Sequence, residues 1–123
     1  MRVFVTKWFD RFATAERISD EQLFDAIRRA ESGLIDATLG GGLIKQRVGR
    51  ANQGKSGGYR TIIVFKSPER AIFVFGFAKN EKPNIPAADL KALKDLADFY
   101  MAKNWKDFES MVNLKSLREL QNG

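Results

Sequence analysis

Apolar residues recur at helical spacing through the first third of the chain and gather into strand-like runs through the middle third. Val3, Phe4 and Val5 make a short strand-like run. Trp8, Phe9 and Phe12 then fall on one helical face, which predicts a helix opening near Thr6. A second helix carries fuller signals. Ser19 and Gln22 have capping-box spacing, and Asp20 and Glu21 set acids against the positive end of the helix dipole. Leu23, Phe24, Ile27 and Ala30 form its apolar stripe, and Gly33 supplies a residue suited to ending it. The pair predicts a helical hairpin turning near residues 17–19.

Residues 34–42 read as a loop that ends in three glycines. Three strands are expected to follow, at 43–48, 59–66 and 71–78. In the first, Leu43, Lys45 and Arg47 alternate with Ile44, Gln46 and Val48, so the two cations share a face. The turn at 67–70 is short enough for an antiparallel hairpin, whereas 49–58 is a long tip rich in Gly, Asn, Gln and Ser. Phe73, Phe75 and Phe77 have one parity and are expected together in the core. Pro83 and Pro86 close the sheet region, and Leu90, Leu93, Leu96 and Ala97 predict a helix after them.

Trp105, Phe108, Met111, Val112 and Leu114 suggest a further amphipathic segment, broken from that helix near Asn104. It either completes the core or presents a partner-binding helix. The order implies an α+β fold, a small antiparallel β-sheet flanked by an N-terminal helical hairpin and a C-terminal helix. One domain over residues 1–123 is expected, with its core in about 1–100 and a C-terminal helical extension in 101–123.

Charge sharpens this picture. Residues 45–79 hold Lys45, Arg47, Arg50, Lys55, Arg60, Lys66, Arg70 and Lys79 against a single acid, Glu69. Eight cations and one acid give +7, in a chain whose net charge is +6, so the remainder is close to neutral. A polyanion would therefore meet one element of the protein. With no cysteine, disulfide and thiolate chemistry are excluded, and with no histidine the commonest general base and metal ligand are missing. No close cluster of acids suggests a metal site. No apolar run approaches the ~18 residues of a membrane span, and the N-terminus lacks a signal-peptide core. A soluble cytoplasmic protein is the expectation.

Gly49, Gly54, Lys55 and Ser56 satisfy the spacing of a phosphate-binding P-loop. That loop needs a helix starting at the Lys-Ser pair, whose free N–H groups cradle the phosphates. Here two glycines and a β-branched run follow, which predicts a basic hairpin tip instead. Lys45 and Arg47, joined by Arg60 on the next strand, are better placed to form a cationic floor for phosphate. Tyr59 either stacks on a base, moves a proton, or packs on a neighbouring strand.

Three stretches in order carry a resemblance. They are Gly40-Gly41-Gly42-Leu43-Ile44-Lys45-Gln46-Arg47-Val48, then Gly54 to Ile62 with Tyr59-Arg60 inside it, then Phe75-Gly76-Phe77-Ala78-Lys79-Asn80-Glu81. Together they resemble the RelE/HigB-like toxins of bacterial type II toxin–antitoxin systems, from Trp8-Phe9 to about Leu96. By motif, Lys45 and Arg47 match the family's basic strand pair, Tyr59-Arg60 its next strand opening, and Lys79 the lysine of its Gly-Lys-Arg stretch. Two features depart from the pattern. Asn80 stands where an arginine is expected, and the tyrosine expected a few residues later is absent from 82–86.

The resemblance implies ribosome-dependent, metal-independent mRNA cleavage without a cofactor. The catalytic candidates are Lys45, Arg47, Arg60, Tyr59 and Lys79, with Arg50, Lys55 and Lys66 as RNA contacts. The implied partners are the ribosome with its mRNA and a cognate antitoxin, often a helix-turn-helix protein, through which alone operator DNA would be reached. The same fold also serves ParE toxins, which act on DNA gyrase. The rival expectation is thus a homologue that binds a protein target or acts as an antitoxin-bound corepressor, without nuclease activity.

Overall fold

The computed structural model describes residues 1–49, 58–79 and 85–121. Strand β1 (Arg2–Thr6) runs directly into helix α1 (Lys7–Ala15). The Thr6 hydroxyl accepts the Phe9 N–H at 3.1 Å, which satisfies one of the helix's free donors. Helix α2 (Asp20–Glu31) begins with both hydrogen bonds of the Ser19–Gln22 capping box. Gly33 takes a φ of 88°, and the Leu34 N–H reaches back to the Arg29 carbonyl at 2.8 Å to close the helix.

Strands β2 (Ala37–Gly40), β3 (Leu43–Val48), β4 (Tyr59–Lys66) and β5 (Arg70–Ala78) follow. Helix α3 (Ala87–Met101), helix α4 (Trp105–Asn113) and strand β6 (Leu117–Glu119) complete the order. The six strands form one sheet in the order β2-β3-β4-β5-β1-β6. Every pairing is antiparallel except that of β1 with β5.

The sheet is covered on both faces. On one, Phe9 and Ala13 of α1 and Leu23, Ala26, Ile27 and Ala30 of α2 pack on Val3, Val5, Ile44, Ile63 and Phe73. On the other, Leu93, Ala97 and Tyr100 of α3 and Phe108 of α4 pack on Phe4, Leu43, Ile62, Val64, Ile72 and Val74. The α+β class, the strand-like run at 3–5 and the three central strands are as expected, but the sheet has two strands more. β2 lies within the expected loop, being four residues long, alternating partly buried with exposed positions, and ending in glycine. Such a strand has no apolar run to announce it. β6 is shorter still and is defined only by its pairing with β1.

The segment after residue 100 completes both cores. Phe108 is fully buried in one and Leu120 is buried in the other. The Asn104–Asp107 capping box starts α4, where the break in the pattern lay.

The three phenylalanines of β5 do not share a face. The register shifts between Ile62–Phe75 and Ile63–Phe73, so Val74 is an extra residue and the strand changes phase there. Phe73 packs on Phe9 at 5.0 Å on the α1 face, while Phe75 turns to the α3 face and stacks on Trp8 at 4.9 Å. Gly76 is required beside them, because a Cβ there would lie 2.5 Å from the Phe12 ring. Among the described residues, no helix is long and apolar enough to cross a membrane.

Candidate nucleic-acid interface

The apolar floor on the α3 face ends at Leu43 of β3 and Ile62 of β4. Continuing along the same parity, the next side chains are Lys45 and Arg47 on β3 and Arg60 on β4. The ladder pairs Arg47 with Arg60 and Lys45 with Ile62. Directly paired residues have Cβ atoms about 5 Å apart and diagonal ones about 7–8 Å, so all three cations stand within reach of one phosphate. On β5, Phe77 pairs with Arg60. Lys79, two residues further in the same alternation, is exposed, and its N–H continues the ladder to the Gly58 carbonyl at 3.2 Å. The result is a diagonal cationic band across β3, β4 and the end of β5.

Burial and the neighbouring Arg47 both lower the pKa of the Arg60 guanidinium, and Asp36 opposes them. Asp36 enters from the segment before β2. Its carboxylate accepts the Arg47 backbone N–H at 2.6 Å and the Arg47 Nε at 3.1 Å, and it lies 3.1 Å from Nη2. The charge count over residues 45–79 therefore missed an acid from outside that stretch. What places Asp36 is Gln46, which is completely buried. Its amide donates to the carbonyls of Ala26 and Leu34, at 3.0 and 3.2 Å, and its oxygen accepts the Asp36 N–H at 2.7 Å. A glutamine alternating with cations on a strand gives no hint of that role.

Tyr59 does not join the band. Adjacent residues of a strand face opposite ways, and the parity that opens Arg60 sends Tyr59 into the α1–α2 core. There it is 3% exposed, packs edge-on against Phe12, and donates its hydroxyl to Glu16 Oε1 at 2.9 Å. Of the expected RNA contacts, Lys66 is at the far end of β4, six residues or about 20 Å from Arg60, where it faces Glu69 at 3.6 Å. Arg50 and Lys55 lie outside the described residues. So does most of the P-loop-like tip, but β4 begins at Tyr59 where a phosphate-binding loop would need a helix.

Arg70 also leaves the cationic set. It is buried, donates to the carbonyls of Tyr100 and Lys103 at 2.9 and 2.6 Å, and pairs with Glu69. Among the described residues, no three acids gather closely enough to hold a metal ion. The band is thus suited to binding a phosphodiester and to stabilising negative charge that grows on it. The model of the family described as the RelE toxin of the RelE/RelB toxin–antitoxin system matches residues 1–120. No curated protein matches the chain.

Proposed function

Given that this chain belongs to the RelE toxin family, a family of toxin–antitoxin toxins, we propose that it cleaves mRNA on the ribosome and so stops translation. The observation that carries this reading is the shared face of Lys45, Arg47 and Arg60, with Arg47 and Arg60 directly opposite in the ladder. Such a pair matches a bridging phosphate in spacing and charge.

RNA supplies its own nucleophile in this reading. The 2′-OH attacks the adjacent phosphorus, the bond to the 5′-oxygen breaks, and the proton lost by the first oxygen is balanced by one gained by the second. Lys45, Arg47 and Arg60 hold the phosphate and stabilise its extra charge, and Lys79 assists at the edge. With Tyr59 turned into the core, the protein contributes chiefly position and electrostatics rather than a phenolic proton donor.

As a toxin–antitoxin toxin, the protein has a cognate antitoxin as its partner. A helix-turn-helix antitoxin, operator contact only through it, and action in the cytoplasm belong to the same proposal. One observation favours a second reading, a homologue that binds a protein target or represses with its antitoxin. It is the burial of Tyr59, which leaves proton transfer unassigned.

Induced expression of the chain without its antitoxin tests the choice. Under the nuclease reading, growth arrests with loss of protein synthesis. Arg60→Ala and the Lys45→Ala/Arg47→Ala pair each relieve the arrest while accumulating as folded protein. Arrest of equal strength by the variants would favour a protein target.

A further inference from the structure

Arg47 and Arg60 stand directly opposite each other in the ladder. Like charges in that position repel and destabilise a sheet. Among the described residues, the group that offsets this repulsion is the Asp36 carboxylate. We infer that Asp36 is a built-in counter-ion of the phosphate site: it holds the Arg47 guanidinium in the empty protein and yields it to the incoming RNA phosphate. The inference rests on the RNA-binding reading above and deepens it.

Four observations support the role. Asp36 engages Arg47 through both its backbone N–H and its guanidinium. The Asp36 side chain is 20% exposed and that of Arg47 43% exposed, so the pair lies where a ligand can reach it. Arg29 of α2 stands 4.0 Å from the other carboxylate oxygen and donates to the Arg47 carbonyl, so Asp36 has a second cation nearby when Arg47 turns to phosphate. Finally, Gln46 fixes the Asp36 backbone through its N–H, independently of the carboxylate charge. Neutralising the side chain should therefore leave the loop in place. A carboxylate and a phosphate oxygen make the same kind of paired bond to a guanidinium, so Asp36 acts as an internal substitute for the substrate and as its competitor.

The test uses the purified full-length chain and a fluorescent, uncleavable 2′-O-methyl RNA dodecamer, titrated over a range of salt. Asp36→Asn is expected to bind this RNA about three- to fivefold more tightly at low salt, the scale of removing one partly exposed ion pair. The slope of log affinity against log salt should steepen, because Asp36 no longer offsets the charge that Arg47 brings to the phosphate. Asp36→Glu should keep the parent slope. In an Arg47→Ala background, Asp36→Asn should lose most of its effect, because that effect passes chiefly through the arginine. Asp36→Ser serves as a second neutral variant, and melting curves identify any variant that fails to fold.

Weaker or unchanged binding by both neutral variants, with Arg47→Ala and Arg60→Ala still weakening it, would overturn the counter-ion role and leave the RNA site standing. Tightening that persists undiminished in the Arg47→Ala background would also overturn it, as a general charge effect. RNA binding that Arg47→Ala and Arg60→Ala leave untouched would remove the RNA site itself, and this inference with it.

Discussion

Arg60 and Arg70 lie ten residues apart in the same basic stretch, on neighbouring strands of one sheet. Their surroundings have nothing in common. Arg70 is 5% exposed, with Glu69 and two main-chain carbonyls as partners, and its guanidinium lies 4.6 Å from the Trp105 ring and 4.9 Å from that of Phe108. Its charge is consumed in joining α3 and α4 to the sheet. Arg60 has another arginine opposite it, and among its described neighbours no carboxylate at ion-pair distance. One end of the sheet uses its cation to hold the fold together, and at the other two arginines stand opposite each other. A charge count along the sequence cannot separate the two, because the carbonyls that accept from Arg70 lie thirty or more positions downstream.

The contrast can be broken by substitution. Arg70→Ala should destabilise the protein by about 3 kcal/mol, since it strands one buried and one part-buried carbonyl and leaves Glu69 with Lys66 alone. Denaturant unfolding measures this, and a change below about 1 kcal/mol would refute the structural assignment of Arg70. Tyr59→Phe should cost about 1 kcal/mol, one hydrogen bond to Glu16, and leave mRNA cleavage within about twofold of the parent. A large loss of cleavage would return Tyr59 to the chemistry.

A smaller, pH-dependent effect belongs to the rim of the Arg70 region, where Arg2 meets both Glu119, at 2.8 Å, and the Trp105 ring, at 4.7 Å. The hydrogen bond from Arg2 holds the Glu119 carboxyl below its ordinary value, against partial burial. A carboxyl with a lowered folded pKa binds its proton more readily when unfolded. Its stabilisation is therefore complete above the ordinary carboxylate range and is lost as pH falls through the folded value. Glu119→Gln should remove up to about 1 kcal/mol near neutral pH and flatten the acid limb of the stability curve. Lys66→Ala should do least. A change within about 0.5 kcal/mol and unaltered RNA affinity are expected for an exposed lysine at the wrong end of β4.

Much of this fold was legible in the periodicity. The Ser19–Gln22 capping box, the α2 stripe and the shared parity of Lys45 and Arg47 follow from local spacing, and local spacing decides them. Arg60 was legible as a strand residue, but its place opposite Arg47 depends on ladder register, which pairs positions thirteen apart. The separation of Tyr59 from Arg60 was already implied by the two-residue period of a strand. The burial of Phe73 apart from Phe75 depends on the extra residue at Val74, and nothing in that apolar run announces a phase change. Asp36 and Gln46 were the least legible parts of the site. A polar side chain on a strand signals solvent until the loop that buries it is known.

The most direct test of the cationic face as the functional surface is mRNA cleavage on programmed ribosomes, comparing the parent chain with Arg60→Ala at matched folded concentration. Removing one contact that strengthens as charge develops should slow cleavage by about 10²–10³-fold, with the melting temperature nearly unchanged. Cleavage by Arg60→Ala at the parent rate, or none by the parent chain itself, would contradict the assignment and leave a toxin of the same fold acting on a different target.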